Sequence, residues 1–132
     1  MSDTMSDTAQ KPALGTVGWI DLTVPDAPRV RDFYRDVVGW KATEQSMGDY
    51  SDYVMNGANG PVAGVCHARG GNASLPAQWL IYITVESLDR AMATCRSSGG
   101  EVINGPRQAG EHGRFCIIRD PGGAVAGLFE NA

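Results

Sequence analysis

The sequence predicts an α+β fold built from two tandem βαβββ modules, and three observations lead to it. A length of 132 residues corresponds to one domain. Two strand-like segments recur at a fixed offset, and each precedes a segment whose apolar residues have helical spacing. Three more short strand-like segments, separated by glycine-containing loops, follow in each half. We expect the modules to form curled, mixed sheets around a cleft.

The internal repeat is carried by segments that match in the same order. Trp19–Val24 aligns with Leu80–Val85 at an offset of 61 residues. Val62–Val65 aligns with Val125–Leu128 at an offset of 63 residues. An insertion in an intervening loop accounts for the difference between the two offsets. Repeated segments at a nearly constant offset indicate two copies of one supersecondary unit.

The repeat also predicts the domain organisation. We expect residues 15–130 to form a single domain, with module one at about 15–68 and module two at about 77–130. Residues 1–14 begin with a repeated Met-Ser-Asp-Thr tetrapeptide and contain no apolar stretch. This composition predicts a short flexible tail and no signal peptide.

A helix is predicted after the first strand of each module. Both first strands are rich in β-branched and aromatic residues. Asp26 and Ser87 are the predicted N-caps, and Pro28 falls in a first turn, where proline costs no hydrogen bond. Spacings of three and four define the apolar stripes, which are Ala27, Val30, Phe33, Tyr34, Val37 and Val38, then Leu88, Ala91, Met92 and Cys95. The predicted terminators are Gly39 in the first helix and Gly99 and Gly100 in the second.

Three short strands are predicted after each helix. Turn-forming pairs such as Asn-Gly and Asp-Pro separate them. The predicted strands lie near residues 41–46, 50–55 and 62–66 in module one, and near 101–104, 114–119 and 125–130 in module two.

Alternation along the first strands assigns their two faces. The residues predicted to face the helices are Ile20, Leu22 and Val24, then Ile81, Ile83 and Val85. The residues predicted to face away are Trp19, Asp21 and Thr23, then Leu80, Tyr82 and Thr84. Asp21 and Tyr82 are equivalent positions of the repeat. The away-facing set mixes polar and apolar side chains, which is typical of small-molecule sites.

Composition excludes several classes of partner. Acidic residues outnumber basic ones by 15 to 11, giving a formal net charge of −4, so nucleic-acid binding is not expected. No apolar run approaches the roughly 18 residues that a membrane span requires. Three cysteines without CxxC spacing, and no export signal, predict free thiols in a cytoplasmic protein.

Several motifs point to a known superfamily. Module one contains Val17–Asp26, Asp32–Tyr34 and Val38–Trp40 in that order. The corresponding segments of module two are Trp79–Val85, Gly99–Val102, Gly113–Phe115 and Asp120–Ala124. Over about residues 15–130 the chain resembles the glyoxalase/bleomycin-resistance/dioxygenase group, the vicinal oxygen chelate superfamily. The resemblance implies the paired βαβββ fold and a homodimer.

The resemblance also implies where a metal would bind. Metal-using members take two His or Glu ligands from each module, and the matching positions here are Trp19, Gly64, Leu80 and Gly127. None of these side chains binds a divalent ion, whereas a catalytic site needs about three protein ligands. The other possible ligands are Asp21, Cys66, His67, His112 and Glu130, of which only Asp21 and Cys66 are predicted to face away from the helices. We therefore expect no cofactor, with a divalent metal as the alternative.

The candidate ligand-binding residues are Trp19, Asp21, Cys66, Leu80, Tyr82 and Phe129. Asp21 is also the catalytic candidate, since a carboxyl group in a partly dry site gains a raised pKa and acts as a general base. The alternative is a solvated Asp21, or one hydrogen-bonded to Tyr82 or Thr23. Trp19 and Phe129 either stack on a flat ligand or close the cavity. His67 is predicted on the opposite face, and His112 in an exposed loop.

The sequence thus predicts a metal-independent, glyoxalase-like protein that binds a small organic molecule in the cleft between its modules. By analogy with bleomycin-resistance proteins, its role would be resistance or sequestration. Two alternatives stay open. One is a metal-dependent lyase, isomerase or extradiol-type dioxygenase, and the other is a structural module whose cleft is filled by its own side chains.

Overall fold

The computed structural model describes residues 11–132, and the first ten residues of the predicted tail lie outside this part. The elements alternate as the repeat predicts, with a strand, a helix and three strands in each module. In chain order they are β1 (Val17–Val24), α1 (Ala27–Val38), β2 (Lys41–Ser46), β3 (Ser51–Gly57), β4 (Gly60–His67), a 3₁₀ turn (Gly70–Asn72), β5 (Trp79–Thr84), α2 (Leu88–Ser97), β6 (Glu101–Gln108), β7 (Gly113–Arg119) and β8 (Val125–Asn131).

Strand pairing follows the same plan in both modules. Module one has the strand order β2-β3-β4-β1, and module two has the order β5-β8-β7-β6. The first strand of each module runs parallel to the last, with Asp21 opposite Gly64 and Tyr82 opposite Gly127. The remaining pairs are antiparallel. The predicted α+β class with mixed sheets is therefore confirmed.

The chain divides into two compact units, and the division runs through the first strands. One unit is Trp19–Ile81, and the other combines residues 11–18 with Tyr82–Ala132. The unit Trp19–Ile81 holds α1 and the strands of module one from Trp19 onwards. The other unit holds α2 and strands β6, β7 and β8.

Both helices begin and end where the sequence predicts. The carboxylate of Asp26 accepts a hydrogen bond from the Arg29 backbone N–H at 3.2 Å, as an N-cap does. Ser87 Oγ caps α2 in the same way, accepting from the Arg90 N–H at 3.2 Å. Gly39 has φ of 79° and closes α1, because a left-handed residue is needed there.

The core of module one lies between α1 and its sheet. The buried side chains are Leu22, Val24, Ala27, Tyr53, Met55 and Val65, against which Val30, Tyr34, Trp40 and Trp79 pack. This confirms the helix-facing assignment of Leu22 and Val24. Tyr34 stacks on Trp40 with ring centroids 5.6 Å apart, and the Trp79 indole N–H donates to the Tyr34 hydroxyl at 3.2 Å.

The core of module two is built in the same way around α2. Its buried members are Leu88, Met92, Cys116 and Leu128, with Ile83 and Val85 among the partly buried residues that pack on them. Ile81 shares the face of Ile83 and Val85 by alternation, but it is 40% exposed and so is not covered as they are. The ten-residue α2 packs on Ile83 and Val85, and Ile81 lies one step further back along β5.

The largest boundary difference concerns β6. The predicted strand ends near residue 104. The strand instead continues to Gln108, with irregular pairing between Val102 and Arg107. A bulged edge strand tolerates a proline, which lacks a ladder donor.

Candidate functional site

Asp21 and Trp19 form a hydrogen-bonded pair on β1. They lie two residues apart, so their side chains point to the same face of the strand. The Trp19 indole N–H donates to Asp21 Oδ1 at 2.6 Å. Burial raises the pKa of Asp21 from its ordinary value to about 6, although the Trp19 hydrogen bond acts in the opposite direction. Asp21 therefore takes up and releases a proton near neutral pH.

A second acid, Asp52 on β3, lies on the same face of module one. It is buried, and its Oδ1 accepts from the His67 backbone N–H at 2.9 Å and approaches His67 Nδ1 at 3.2 Å. The negative charge of Asp52 also helps to raise the pKa of Asp21. The two carboxyl groups of Asp21 and Asp52 thus lie on one face and influence each other electrostatically.

Cys66 on β4 completes this polar group. Burial raises the pKa of its thiol far above the ordinary value, and the charges of Asp21 and Asp52 raise it further. The thiol also hydrogen-bonds to Asp52. Since a thiolate is the reactive form of cysteine, Cys66 acts here as a neutral donor and not as a nucleophile.

Sequence reasoning missed Asp52, although a signal for it was present. Tyr53 and Met55 belong to the helix-facing core, so alternation places Asp52 on the same face as Asp21. The sequence places His67 on the face opposite Asp21, but does not predict its contact with Asp52. His67 is the last residue of β4, and its imidazole contacts Asp52 from the end of the strand.

Gly64 on β4 leaves the space that Asp21 and Trp19 occupy. A Cβ atom at this position would collide with Asp21 Oδ1 and lie 3.4 Å from Trp19 Nε1. Asp21 and Gly64 are direct partners in the parallel pairing of β1 and β4. The Asp21 side chain on β1 thus lies over the backbone of Gly64 on β4.

Gly127 has the same role in module two. A Cβ atom there would overlap the ring of Tyr82, with Tyr82 Cγ at 2.9 Å. The Tyr82 and Phe115 rings meet edge to face with centroids 6.0 Å apart. Phe115 pairs with Phe129 across β7 and β8. Module two therefore carries aromatic rings where module one carries polar groups.

The two repeat offsets, of 61 and 63 residues, show which residues of the two modules occupy equivalent positions. At the two offsets the equivalent pairs are Asp21 and Tyr82, Asp52 and Phe115, and Cys66 and Phe129. Two acids and a thiol in one module thus correspond to three aromatic rings in the other. The sequence predicts the first of these pairs but not the other two.

Two further predicted positions are also located. Leu80 is fully buried at 0% exposure, and its role in ligand binding stays a prediction. Its place inside the apolar interior follows from the hydrophobic effect. His112 is exposed, as predicted, in the turn that precedes β7.

The residues present do not fit the metal that the superfamily resemblance implies. Two of the four ligand positions are glycines whose side-chain space is filled by Asp21 and Tyr82, and the others are an indole and an isobutyl group. Within residues 11–132, no three His, Cys, Asp or Glu side chains form a group that could hold a metal ion.

Two surface depressions in module one lie away from the predicted site. One, of about 240 Å³, is lined by Arg31, Asp32, Arg35, Ala42, Glu44 and Tyr53. The other, of about 460 Å³, is lined by Val38, Gly39, Trp40, Lys41, Asn56, Gly57 and Ala58. We refer to Trp19, Asp21, Asp52 and Cys66 as the Asp21 group, and neither depression is lined by any of these residues.

In the described residues, no helix is both long and apolar enough to span a membrane.

The fold defines the class of protein, an α+β chain of two βαβββ modules whose first and last strands pair in parallel. Residues 16–126 match the family model described as Glyoxalase/Bleomycin resistance protein/Dioxygenase superfamily. The chain belongs to this superfamily, as its motifs predict.

Curated relatives are similar over most of the chain. A Mycobacterium tuberculosis protein named "Putative glyoxylase CFP32" is 31% identical over 121 residues, which is 88% of this chain and 46% of that protein. The "Anthracycline biosynthesis protein DnrV" of Streptomyces peucetius is 28% identical over 88% of this chain and 42% of that protein. The chain thus spans less than half the length of these relatives.

Solved structures share the fold at low sequence identity. Methylmalonyl-CoA epimerase from Mycobacterium tuberculosis has a TM-score of 0.58 and 18% identity, and the match covers 96% of each chain. A Streptomyces coelicolor methylmalonyl-CoA epimerase variant has a TM-score of 0.59 and 15% identity, covering 91% of this chain and 99% of that one.

Proposed function

We propose that the protein is a metal-independent member of the superfamily that binds a small organic molecule on the face of module one that carries Asp21. The role would be sequestration of, or resistance to, that molecule. The observation that carries this proposal is the pair of glycines, Gly64 and Gly127, over which Asp21 and Tyr82 lie. Ligand groups for a metal are absent from these positions, and other side chains fill their space.

The chemistry of the Asp21 group supports a ligand with a basic or hydrogen-bonding group. The Trp19 N–H fixes one oxygen of the Asp21 carboxyl group, at 2.6 Å. With a pKa of about 6, Asp21 donates a hydrogen bond in its acid form and accepts one, or a proton, in its ionised form. The neutral thiol of Cys66 adds a weak donor beside it.

The names of the relatives suggest which molecules to try first. One relative is named for anthracycline biosynthesis, and the family description includes bleomycin resistance. Anthracyclines and bleomycin combine flat aromatic systems with basic groups. Basic groups suit an acid with a pKa near 6, and flat systems suit the half-buried indole ring of Trp19.

The first experiment measures metal content and ligand binding on the same purified full-length chain. Elemental analysis is expected to find no stoichiometric transition metal. Thermal unfolding is then followed with an anthracycline or with bleomycin, where a ligand at 100 times its Kd adds about 2.7 kcal/mol. Retention of this shift after chelator treatment is the expected result.

Matched variants then test the site. Asp21→Asn keeps the acceptor for the Trp19 N–H but removes the charge, so it is expected to weaken binding of a basic ligand at least about tenfold at pH 8. Asp49→Asn changes an exposed acid and is the control. Tyr82→Phe removes only a hydroxyl group and shows whether module two contributes a polar contact.

Two outcomes contradict the proposal. A stoichiometric metal whose removal abolishes ligand binding or turnover would establish the metal-dependent enzyme instead. Equal affinity of the wild-type protein and the Asp21→Asn and Trp19→Phe variants would show that the ligand binds elsewhere.

If turnover of a bound ligand is seen without metal, its loss in Asp21→Asn is expected, since Asp21 would then be the general base.

A further inference from the structure

Two phenylalanine side chains on the sheet of module two lie outside its core. Phe115 on β7 pairs with Phe129 on β8, so both side chains point to one face of the sheet. Their chain neighbours Cys116 and Leu128 point to the other face and belong to the buried core around α2. Phe115 and Phe129 are both partly exposed. Their rings therefore give module two an apolar surface on the face turned away from α2.

Arg107 on β6 adds a cation to this surface. It pairs with Phe115, and its guanidinium carbon Cζ lies 5.2 Å from the centroid of the Phe115 ring. This distance is within the range of a cation–π interaction. We refer to Arg107, Phe115 and Phe129 as the module-two row. Tyr82 borders the row, since its ring meets the Phe115 ring edge to face.

An extra residue in β6 brings Arg107 to its place in the row. Asn104 pairs with Ile117 and Arg107 pairs with Phe115, so three steps along β6 correspond to two steps along β7. If the pairing continued regularly from Asn104, Pro106 would lie opposite Phe115, and proline carries no charge. Bulges of this kind often re-aim a side chain beside a functional site. The result here is a guanidinium group next to two phenyl rings.

Module one shows that the fold does not require the module-two row. By strand pairing and repeat offset, the equivalent residues of module one are Gln45, Asp52 and Cys66. None of these is aromatic or positively charged. Because both modules share one pattern of strand pairing, the rings and the guanidinium group are additions to the scaffold and not a condition for it.

We propose that the module-two row binds a flat aromatic molecule with a carboxylate group, its carboxylate on Arg107 and its ring on Phe115 and Phe129. Arginine suits both parts of such a ligand, because its planar guanidinium group pairs with carboxylates and stacks on rings. Phenyl rings give a flat ligand a large apolar contact area. The inference does not depend on the basic ligand proposed for the Asp21 group.

The charges of the molecule make this site selective for its own cation. The chain as a whole has a formal net charge of −4, so its general field repels an anion and does not attract one. Arg119 lies on the same face of β7 as Phe115, but it pairs with Glu101 at 2.8 Å. Attraction of a carboxylate to the module-two row is therefore expected to come from Arg107.

The test compares naphthoate with naphthamide, two ligands that share a ring system and differ in charge. Binding to the full-length chain is followed by NMR with isotope-labelled phenylalanine, in which the ring signals of Phe115 and Phe129 report contact. Naphthoate is expected to bind with a Kd of about 1 mM or tighter, which is typical of a ligand of this size. Naphthamide is expected to bind at least about tenfold more weakly.

Arg107→Gln tests the carboxylate contact, and it gives β6 the residue that module one has at Gln45. It is expected to raise the Kd of naphthoate at least about tenfold and to leave the Kd of naphthamide within about twofold, because only naphthoate has a charge to pair. Arg119→Gln removes the same charge from the same sheet face and is the matched control, expected to leave both affinities unchanged. Amide NMR spectra check that each variant folds.

Phe115→Leu tests the ring contact. It keeps an apolar side chain but removes the flat ring, so it is expected to weaken naphthoate and naphthamide alike, by about threefold to tenfold. Phe33→Leu, at an exposed phenylalanine of α1, is the control and is expected to change neither affinity.

Three outcomes would overturn the proposal. Equal affinity of the wild-type protein for naphthoate and naphthamide, or an unchanged naphthoate Kd in Arg107→Gln, would exclude the carboxylate contact. No saturable change in the Phe115 and Phe129 signals up to about 10 mM naphthoate would exclude the surface itself, since that concentration is about ten times the expected Kd. These outcomes leave the tests of Asp21 unaffected, because those tests use basic ligands and other variants.

Discussion

The two modules share a scaffold but differ in what they place on it. The sheet face of module one carries Asp21, Asp52 and Cys66, whereas the equivalent positions of module two carry Tyr82, Phe115 and Phe129. The exposed helix surfaces differ in the opposite sense. On α1, Phe33 and Val37 are exposed, whereas the equivalent residues of α2 are Thr94 and Ser98. Strand pairing and helix caps are therefore common to the two modules, whereas the side chains on their sheet faces and exposed helix surfaces are not.

The largest effects on the free energy of unfolding are expected when Gly127 or Gly64 is replaced. Gly127→Ala places a Cβ atom against the rigid ring of Tyr82, 2.9 Å from Cγ, and is expected to cost about 3 kcal/mol of unfolding free energy. Gly64→Ala meets the end of the Asp21 side chain, which can rotate at the cost of the Trp19 hydrogen bond, and about 1–2 kcal/mol is expected. Urea denaturation measures both.

A second change separates crowding from backbone effects at these glycines. Combining Gly127→Ala with Tyr82→Ala removes the ring that the new methyl group meets. The added cost of Gly127→Ala is then expected to fall below about 1 kcal/mol. A cost that stays the same in the Tyr82→Ala background would mean that the ring does not require the glycine.

The next largest effect is a dependence of stability on pH that arises from Asp21 in module one, whose equivalent in module two is Tyr82. The pKa of Asp21 is raised to about 6 in the folded state, so the folded chain holds a proton that the unfolded chain releases. Stability is therefore lost as the pH rises through 6. Asp21→Asn is expected to be more stable than the wild type at pH 8 by about 1–2 kcal/mol, and the gap should close below pH 4.

Chemical denaturation at a series of pH values measures this difference. Asp49→Asn, an exposed acid of the same module, is the control and is expected to follow the wild type. A constant gap between Asp21→Asn and the wild type from pH 4 to pH 8 would show that Asp21 does not titrate in this window.

The helix starts give a smaller comparison. Glu130 Oε1 accepts from the Leu88 backbone N–H at 2.6 Å and lies 3.4 Å from an Arg114 nitrogen, so it places a charge at the start of α2. Glu130→Gln is expected to cost about 1 kcal/mol, because the charge-assisted bond becomes neutral. Asp26→Asn on α1 is expected to cost only a few tenths of a kcal/mol, since asparagine is an equally good N-cap. Equal losses would refute the comparison.

The smallest expected effect is a change in the pKa values of two side chains of module one. Asp52→Asn keeps an acceptor for the His67 N–H but removes a charge that raises the pKa of Asp21 and of Cys66. Both pKa values are expected to fall. Carbon-detected NMR of the Asp21 carboxyl group measures the first of these changes. An unchanged Asp21 titration would show that Asp52 has no influence on it.

Periodicity and capping predicted the fold well, because both are local properties of the chain. Asp26, Gly39 and Ser87 terminate the helices through contacts with residues only a few positions away. The face assignment of Leu22 and Val24 needed only strand alternation. Local rules of this kind act independently of the tertiary structure.

The candidate site was predicted only in part, since it depends on contacts between distant strands. The Asp52 contacts join β3 to the end of β4, and a single strand pattern does not show them. The sequence offered Tyr82 and Thr23 as partners for Asp21, but the donor found is Trp19, its neighbour on the same face.

The glycine at position 64 also limits which side chains this position can accept. A glutamate introduced there would drive its side chain into Asp21, so Asp21 must become smaller at the same time. Position 127 and Tyr82 impose the same requirement. Engineering an ion site on these strands would therefore need at least two paired replacements, each poor without its companion.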